Sequence, residues 1–341
     1  MLNSGIKLKS SEITHNFRLS SHIKKEFSLR TKEEIKFFDE DNNYIDYFFE
    51  VGIKPEIFKE EFLYNTPSLE ELNKKLIPQI ISRFPETNKK TIVINNMNIK
   101  QIFPNGFKII EAKSKPDPDF FAVMSDNQLY SIIYKYKYLS CLVIYESISD
   151  YRKLFNKYFK KEENINSDKI KNIYIPKCLC IASVHPCIDK FEEILKAIYE
   201  TTMSNKYNNL FLNQLIEELV IRTPKIPLGY KNVFLKFNNK IIDLSEKKIN
   251  EYPLIHTDIS RLFGMLNIYS IIEIFKFILF EGNIIFFSTK KYELTNSIMS
   301  LLFLLSPFKY QYQVISILPK EFFFIFRIRF IFYFWNKSSI S

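Results

Sequence analysis

Hydrophobic positions start to recur at Tyr44, whereas residues 1–40 are polar, show no sustained period and read as an N-terminal arm. The first ordered stretch is written in short β-type runs. Tyr47-Phe48-Phe49-Glu50-Val51 predicts a strand closed by Gly52. Phe107–Glu111, Phe120–Met124, Gln128–Tyr136 and Leu139–Glu146 predict further strands, separated by Pro104-Asn105-Gly106, Pro116–Asp119 and Asp126-Asn127. A helix is expected over Ser68–Phe84, with Ser68 as cap and Glu71 completing a capping box. Residues 41–150 therefore read as a small α+β module. Tyr151–Ile170 is charged and Asn-rich, which places a helix and linker, and with them a domain boundary, at 151–172.

Beyond Tyr174 the period changes. A short apolar strand at Lys177–Ala182 is followed by Asp189–Met203, where Phe191, Ile194, Leu195 and Ile198 recur at helical spacing. Leu210–Ile221 repeats that spacing, and Val233–Phe237 reads as a strand. Asp258–Leu266 and Ile268–Phe280 are helices broken near Asn267; Asn283–Ser288 is a strand, Leu294–Leu305 a helix and Gln313–Leu318 a last strand. Apolar strands alternating with helices imply a parallel sheet covered on both faces. Residues 173–320 are thus expected to form a three-layer α/β module, followed by an aromatic-rich tail at 321–341.

Composition changes this picture little. Hydrophobic residues at 46% and charged residues at 25% are globular values and exclude a mainly disordered chain. The abundance of Phe, Ile, Asn, Lys and Tyr is what an AT-rich genome produces. The 48 Lys and Arg against 38 Asp and Glu leave +10, compatible with weak contact to an anionic membrane. The basic residues alternate with acids, as in Lys160-Lys161-Glu162-Glu163, which reads as solvated helix faces and not as a nucleic-acid stripe. Met1–Ser20 has no signal-type apolar run, and the 4 cysteines do not make a disulfide framework, so a reducing, cytoplasmic setting is expected.

Motifs of covalent chemistry are missing. The 6 glycines are all isolated, so no glycine-rich loop cradles a phosphate, and neither G-x-S-x-G nor H-E-x-x-H occurs. Cys178, Cys180, His185 and Cys187 are the metal-like cluster, but their spacing is not that of paired zinc ligands. Cys178 and Cys180, two apart on a buried strand, read as small hydrophobes facing one packed side. Asp258 reads as a helix cap and not as a base serving His256. No catalytic residue, cofactor or metal is assigned.

Two stretches together resemble the DENN family. Tyr44 to Gly52, Ile81-Ser82-Arg83-Phe84-Pro85, Phe103-Pro104-Asn105-Gly106 and Phe120 to Asp126 are similar to its upstream, longin-like module. Pro176 to Ser183, the Pro224, Pro227 and Gly229 connection, Asp258–Leu266, Ile271–Glu281 and Ile284–Ser288 are similar to its central module. Ser306-Pro307-Phe308 and Ile317-Leu318-Pro319 complete it, with Tyr310 where the family commonly carries Trp. The resemblance covers residues 44–319. The helical downstream module is then expected to be missing, and 321–341 to be a tail foreign to the pattern, as a truncated gene model would leave.

The resemblance implies guanine-nucleotide exchange on a Rab-type small GTPase in membrane trafficking. The alternative it allows is a non-catalytic scaffold or GTPase-binding heterodimer partner. A third possibility is membrane attachment through the Phe-rich tail. The contact surface is expected in the groove between the two modules. Loops beyond strand carboxyl ends nominate Ser183, Val184 and His185 after the first central strand, and Ser288 and Thr289 after a later one.

Overall fold

The computed structural model describes residues 43–54, 70, 73–74, 76–85, 96–124, 138–147, 173–203, 209–224, 233–237, 240–245, 258–305, 308, 310, 314–320 and 331–334. The arm 1–40, the strand expected at Gln128–Tyr136 and the helix and linker expected at Tyr151–Ile170 lie outside the described residues. Strands β1 (Tyr47–Gly52), β2 (Gln79–Phe84), β3 (Ile110–Glu111), β4 (Asp119–Met124), β5 (Tyr138–Ser147) and β6 (Ile173–Ser183) form one sheet in the order β2-β1-β6-β5-β4. β3 pairs with β6 beyond the end of β1, and every pairing in this sheet is antiparallel.

Two expectations are corrected here. The segment Ser68–Phe84 does not stay helical: Gln79–Phe84 is β2, paired with β1. Pro78 lacks the N–H that a continuing helix would need, and the β-branched Ile80 and Ile81 then suit a strand. The larger correction concerns β6, expected to open a parallel sheet of its own. It lies instead at the centre of the antiparallel sheet, between β1 and β5, with Cys180 opposite both Phe49 and Cys141. Its long apolar run reports burial on both faces, which an antiparallel strand also meets when both faces are covered. Pro176 is tolerated because the strand has one neighbour there: β5 pairs with it, while β1 ends at Cys178 and β3 starts at Tyr174.

Strand alternation sorts the core into two layers. Phe49, Val51, Phe121, Val123, Leu139, Val143 and Cys180 face one side, closed by Ile102, Phe103, Phe107 and Ile317. Phe48, Leu142, Ile144, Leu179 and Ile181 face the other. That side is covered by α2 (Ile188–Met203), α3 (Asn209–Ile221) and the antiparallel hairpin β7 (Phe234–Phe237) and β8 (Lys240–Asp243). On the first side lies α1 (Asn96–Ile102). At the Pro104-Asn105-Gly106 turn, Gly106 takes φ 83°, a left-handed value at which its missing Cβ matters.

A second lobe gathers α4 (Ile259–Met265), α5 (Ile268–Leu279), β9 (Ile284–Phe287) and α6 (Lys291–Leu304) around Leu262, Ile271, Ile274, Ile278, Leu301 and Leu305. α4 and α5 bend by 113° at the break expected near Asn267, whose side chain caps α5 by accepting from Ser270 N. β9 pairs in parallel with β10 (Ile331–Phe334), so the tail contributes backbone to this lobe. Residues 314–318 form no strand. Their bonds run through side chains instead: Gln101 Nε2 donates to Ile317 O at 3.4 Å and Met124 N donates to Ser316 Oγ at 2.9 Å.

Candidate partner-binding groove

Between the sheet lobe and the second lobe opens a groove of about 650 Å³. Its floor is the edge strand β4, through Phe120, Phe121 and Ala122. One wall is the first half of α2, with Ile188, Asp189, Glu192 and Lys196; the other is α4 and α6, with Arg261, Lys290, Tyr292 and Asn296. An edge strand presents unpaired backbone groups, and here the second lobe meets them. The Ala122 carbonyl accepts from Thr295 Oγ1 at 2.7 Å and from Ser316 Oγ at 3.2 Å. The far wall is braced internally by Asn296 Nδ2, which donates to Asp258 O at 3.1 Å.

The charges are distributed unevenly. Asp189 and Glu192 lie on the α2 wall, and Glu192 is paired with Lys196. Across the groove, the Tyr292 ring has two cations over it, with Arg261 5.8 Å and Lys290 5.9 Å from its centre. Arg261 is also held by Asp258 at 3.1 Å, and Lys290 lies 3.8 Å from Glu293. Asp258 is held below its ordinary carboxyl range by the Ser260 hydroxyl, against the opposing effect of desolvation and with help from Arg261 and the Ser260 backbone N–H. At the floor, Lys291 bonds Asp119 at 2.8 Å and sits 4.0 Å from the Phe121 ring centre. The groove thus combines aromatic rings with charges of both signs, the residue types that binding interfaces draw on.

The five residues nominated from sequence shape the walls without lining the groove. Ser183 is buried; its hydroxyl donates to Tyr44 O at 2.9 Å and accepts from His185 N at 3.0 Å. Val184 N donates to Asp46 Oδ2 at 2.9 Å. These bonds turn the chain from β6 into α2, whose Ile188 and Asp189 do line the groove. Ser288 donates to Glu293 Oε2 at 2.6 Å and accepts from Lys290 N at 3.1 Å, and Thr289 follows it into the start of α6. The two loops thus lead into opposite walls of one groove. Directly after Thr289 comes the basic-aromatic run Lys290-Lys291-Tyr292, and neither it nor Arg261 or Phe120 carries a motif that marks it in the sequence.

Cys178, Cys180, His185 and Cys187, the metal-like group of the sequence, are not assembled as one cluster. Cys187 packs on the α2 side of the sheet, whereas Cys178 and Cys180 lie on the opposite side together with Cys141. His185 belongs to the β6–α2 turn.

Residues 174–328 match the family model described as DENN (AEX-3) domain. The matched span begins inside β6, takes in α2 to α6 and β7 to β9, and runs past Lys320 into the aromatic tail.

Proposed function

We infer, from the premise that this chain carries a DENN (AEX-3) domain at residues 174–328, that it is a guanine-nucleotide exchange factor for a Rab-type small GTPase. DENN domains are in general exchange modules of this kind. The observation that carries the reading to a place on the molecule is the inter-lobe groove with Arg261 and Lys290 over the Tyr292 ring. The reading extends to trafficking: such a factor works on the cytoplasmic side of intracellular membranes, where the +10 charge favours contact with anionic lipid. Residues 43–147, with β6, are read as the longin-like partner of the matched domain.

Exchange breaks no covalent bond. It needs a surface that binds the nucleotide-free GTPase more tightly than the loaded form, and linkage then weakens nucleotide binding by the same factor. A release accelerated about 10⁴-fold requires roughly 5.5 kcal/mol of differential binding. A contact of about 800 Å² per partner supplies that through a few central aromatic and arginine anchors. In the groove, Tyr292 and Phe120 would meet the apolar part of a displaced switch segment. Arg261 and Lys290 would take its acidic side chains, and Asp189 its basic ones. Ser183, Val184, His185, Ser288 and Thr289 set the angle at which the two walls present these groups.

The test is release of a fluorescent GDP from a panel of Rab-type GTPases on addition of the full chain. Acceleration on one or a few members is the expected result. Binding to a member without any acceleration would leave the non-catalytic scaffold instead.

A further inference from the structure

On the side of the sheet turned toward α1, three thiols converge, two joined by their spacing on one strand and the third brought in by sheet register. Cys141 on β5 stands directly opposite Cys180 on β6, and Cys178 lies two residues earlier on β6, on the same face. Their Sγ atoms all lie within 4.8 Å of one another, and those of Cys178 and Cys180 are 3.4 Å apart. All three side chains are fully buried among apolar groups, including Phe49, Phe121 and Val143. Metal–sulfur bonds of about 2.3 Å put three ligating sulfurs roughly 4 Å from each other, so this spacing accepts an ion without moving a strand.

The donor set selects the ion. Among the described residues the group has three members, all sulfur, and no histidine or carboxylate joins it. Structural zinc is held by four protein ligands, whereas soft monovalent copper is satisfied by thiolates alone. Lys291, paired with Asp119 at 2.8 Å, lies 4.0 Å from the ring centre of Phe121, the cross-strand neighbour of Cys141. We propose that Cys141, Cys178 and Cys180 form a three-sulfur site for a soft, thiophilic cation of the copper(I) class.

Each sulfur that binds as thiolate forms one metal–sulfur bond and releases its proton to solvent, so affinity rises with pH. No oxidant or reductant is needed, because copper enters and stays in the monovalent state. Cys180 Sγ donates to Cys178 Sγ at 3.4 Å, so these two sulfurs already face each other. Burial holds the Cys141 and Cys180 thiols well above their ordinary range. The site is enclosed, so loading accompanies formation of the sheet or a local opening of it. The proposal is independent of the exchange reading, and Cys187, buried on the other face, is a built-in control.

The reduced chain, native and refolded in parallel, would be titrated anaerobically with copper(I) held by a chromophoric chelator. One equivalent should bind in at least one of the two preparations. Cys141→Ala, Cys178→Ala and Cys180→Ala should each weaken binding about a hundredfold or more, while Cys187→Ala stays within about twofold. X-ray absorption of the loaded wild-type chain, which needs no variant, should show three sulfur neighbours at about 2.3 Å. Failure of both preparations to take copper from the chelator would overturn the proposal. So would equal weakening by Cys187→Ala, or a coordination shell of two sulfurs.

Discussion

Asp258 shows how much one side chain decides locally. Its carboxylate accepts from the backbone N–H and the hydroxyl of Ser260, starting α4, and it holds Arg261 at the groove rim. Asp258→Ala removes the cap, and caps of this type are worth about 1 kcal/mol. The carboxyl is held below its ordinary value in the folded chain, so its contribution is complete above the unfolded value near 3.9 and is lost as pH falls through the lower folded one. Thermal melts should therefore separate wild type from Asp258→Ala at neutral pH and bring the two together in strong acid. Lys177 follows the opposite sign. It bridges Glu50 at 3.2 Å and Glu146 at 3.6 Å across three strands; burial lowers its pKa, but the two carboxylates win and raise it. Its contribution is complete below the unfolded value near 10.4 and disappears as pH rises through the folded value. Lys177→Met leaves two half-buried carboxylates without their cation and should cost about 2 kcal/mol at neutral pH by denaturant unfolding, with the difference shrinking in strong alkali.

At the scale of elements, the clasp on β4 sets the groove's width. Thr295 and Ser316, distant in sequence, share the Ala122 carbonyl, and Ser316 also accepts from Met124 N. Thr295→Val and Ser316→Ala should each cost about 1 kcal/mol, and less than the sum when combined, because one acceptor serves both. A double-mutant cycle by chemical denaturation checks this. Helices α2, α3, α5 and α6 were legible from sequence because an apolar stripe at helical spacing has few other readings; the cap Asp258 was legible because its side chain bonds backbone two residues away, while at Asn267 only the helix break was legible and not its capping of α5. Strand direction was not legible. An apolar run such as that of β6 says that both faces are covered, while the choice between parallel and antiparallel depends on which distant strand arrives beside it. The walls of the groove were legible only up to their loops. Tyr292 and Arg261 meet through the packing of α6 against α4, and Cys141 meets Cys180 through sheet register; neither meeting leaves a mark in local spacing.

For the whole molecule, the central position of β6 has a direct consequence. The matched span starts inside this strand, yet all three strands paired with it, β1, β3 and β5, precede the span. Residues 174–341 expressed alone should expose two open strand edges and the apolar face that β1, β4 and β5 complete, and should aggregate where residues 43–341 stay monodisperse in size-exclusion chromatography. The same topology joins the two lobes, since β4 forms both the sheet's edge and the groove's floor. The proposed exchange activity therefore rests on that groove. The most direct measurement is the rate of fluorescent-GDP release from a responsive Rab-type GTPase, with wild type compared against Tyr292→Ala and Arg261→Glu. Both variants should retain the wild-type melting profile and lose at least about tenfold in release rate, each anchor contributing on the order of 1–2 kcal/mol. Folded variants that release GDP as fast as wild type would contradict the assignment of this groove.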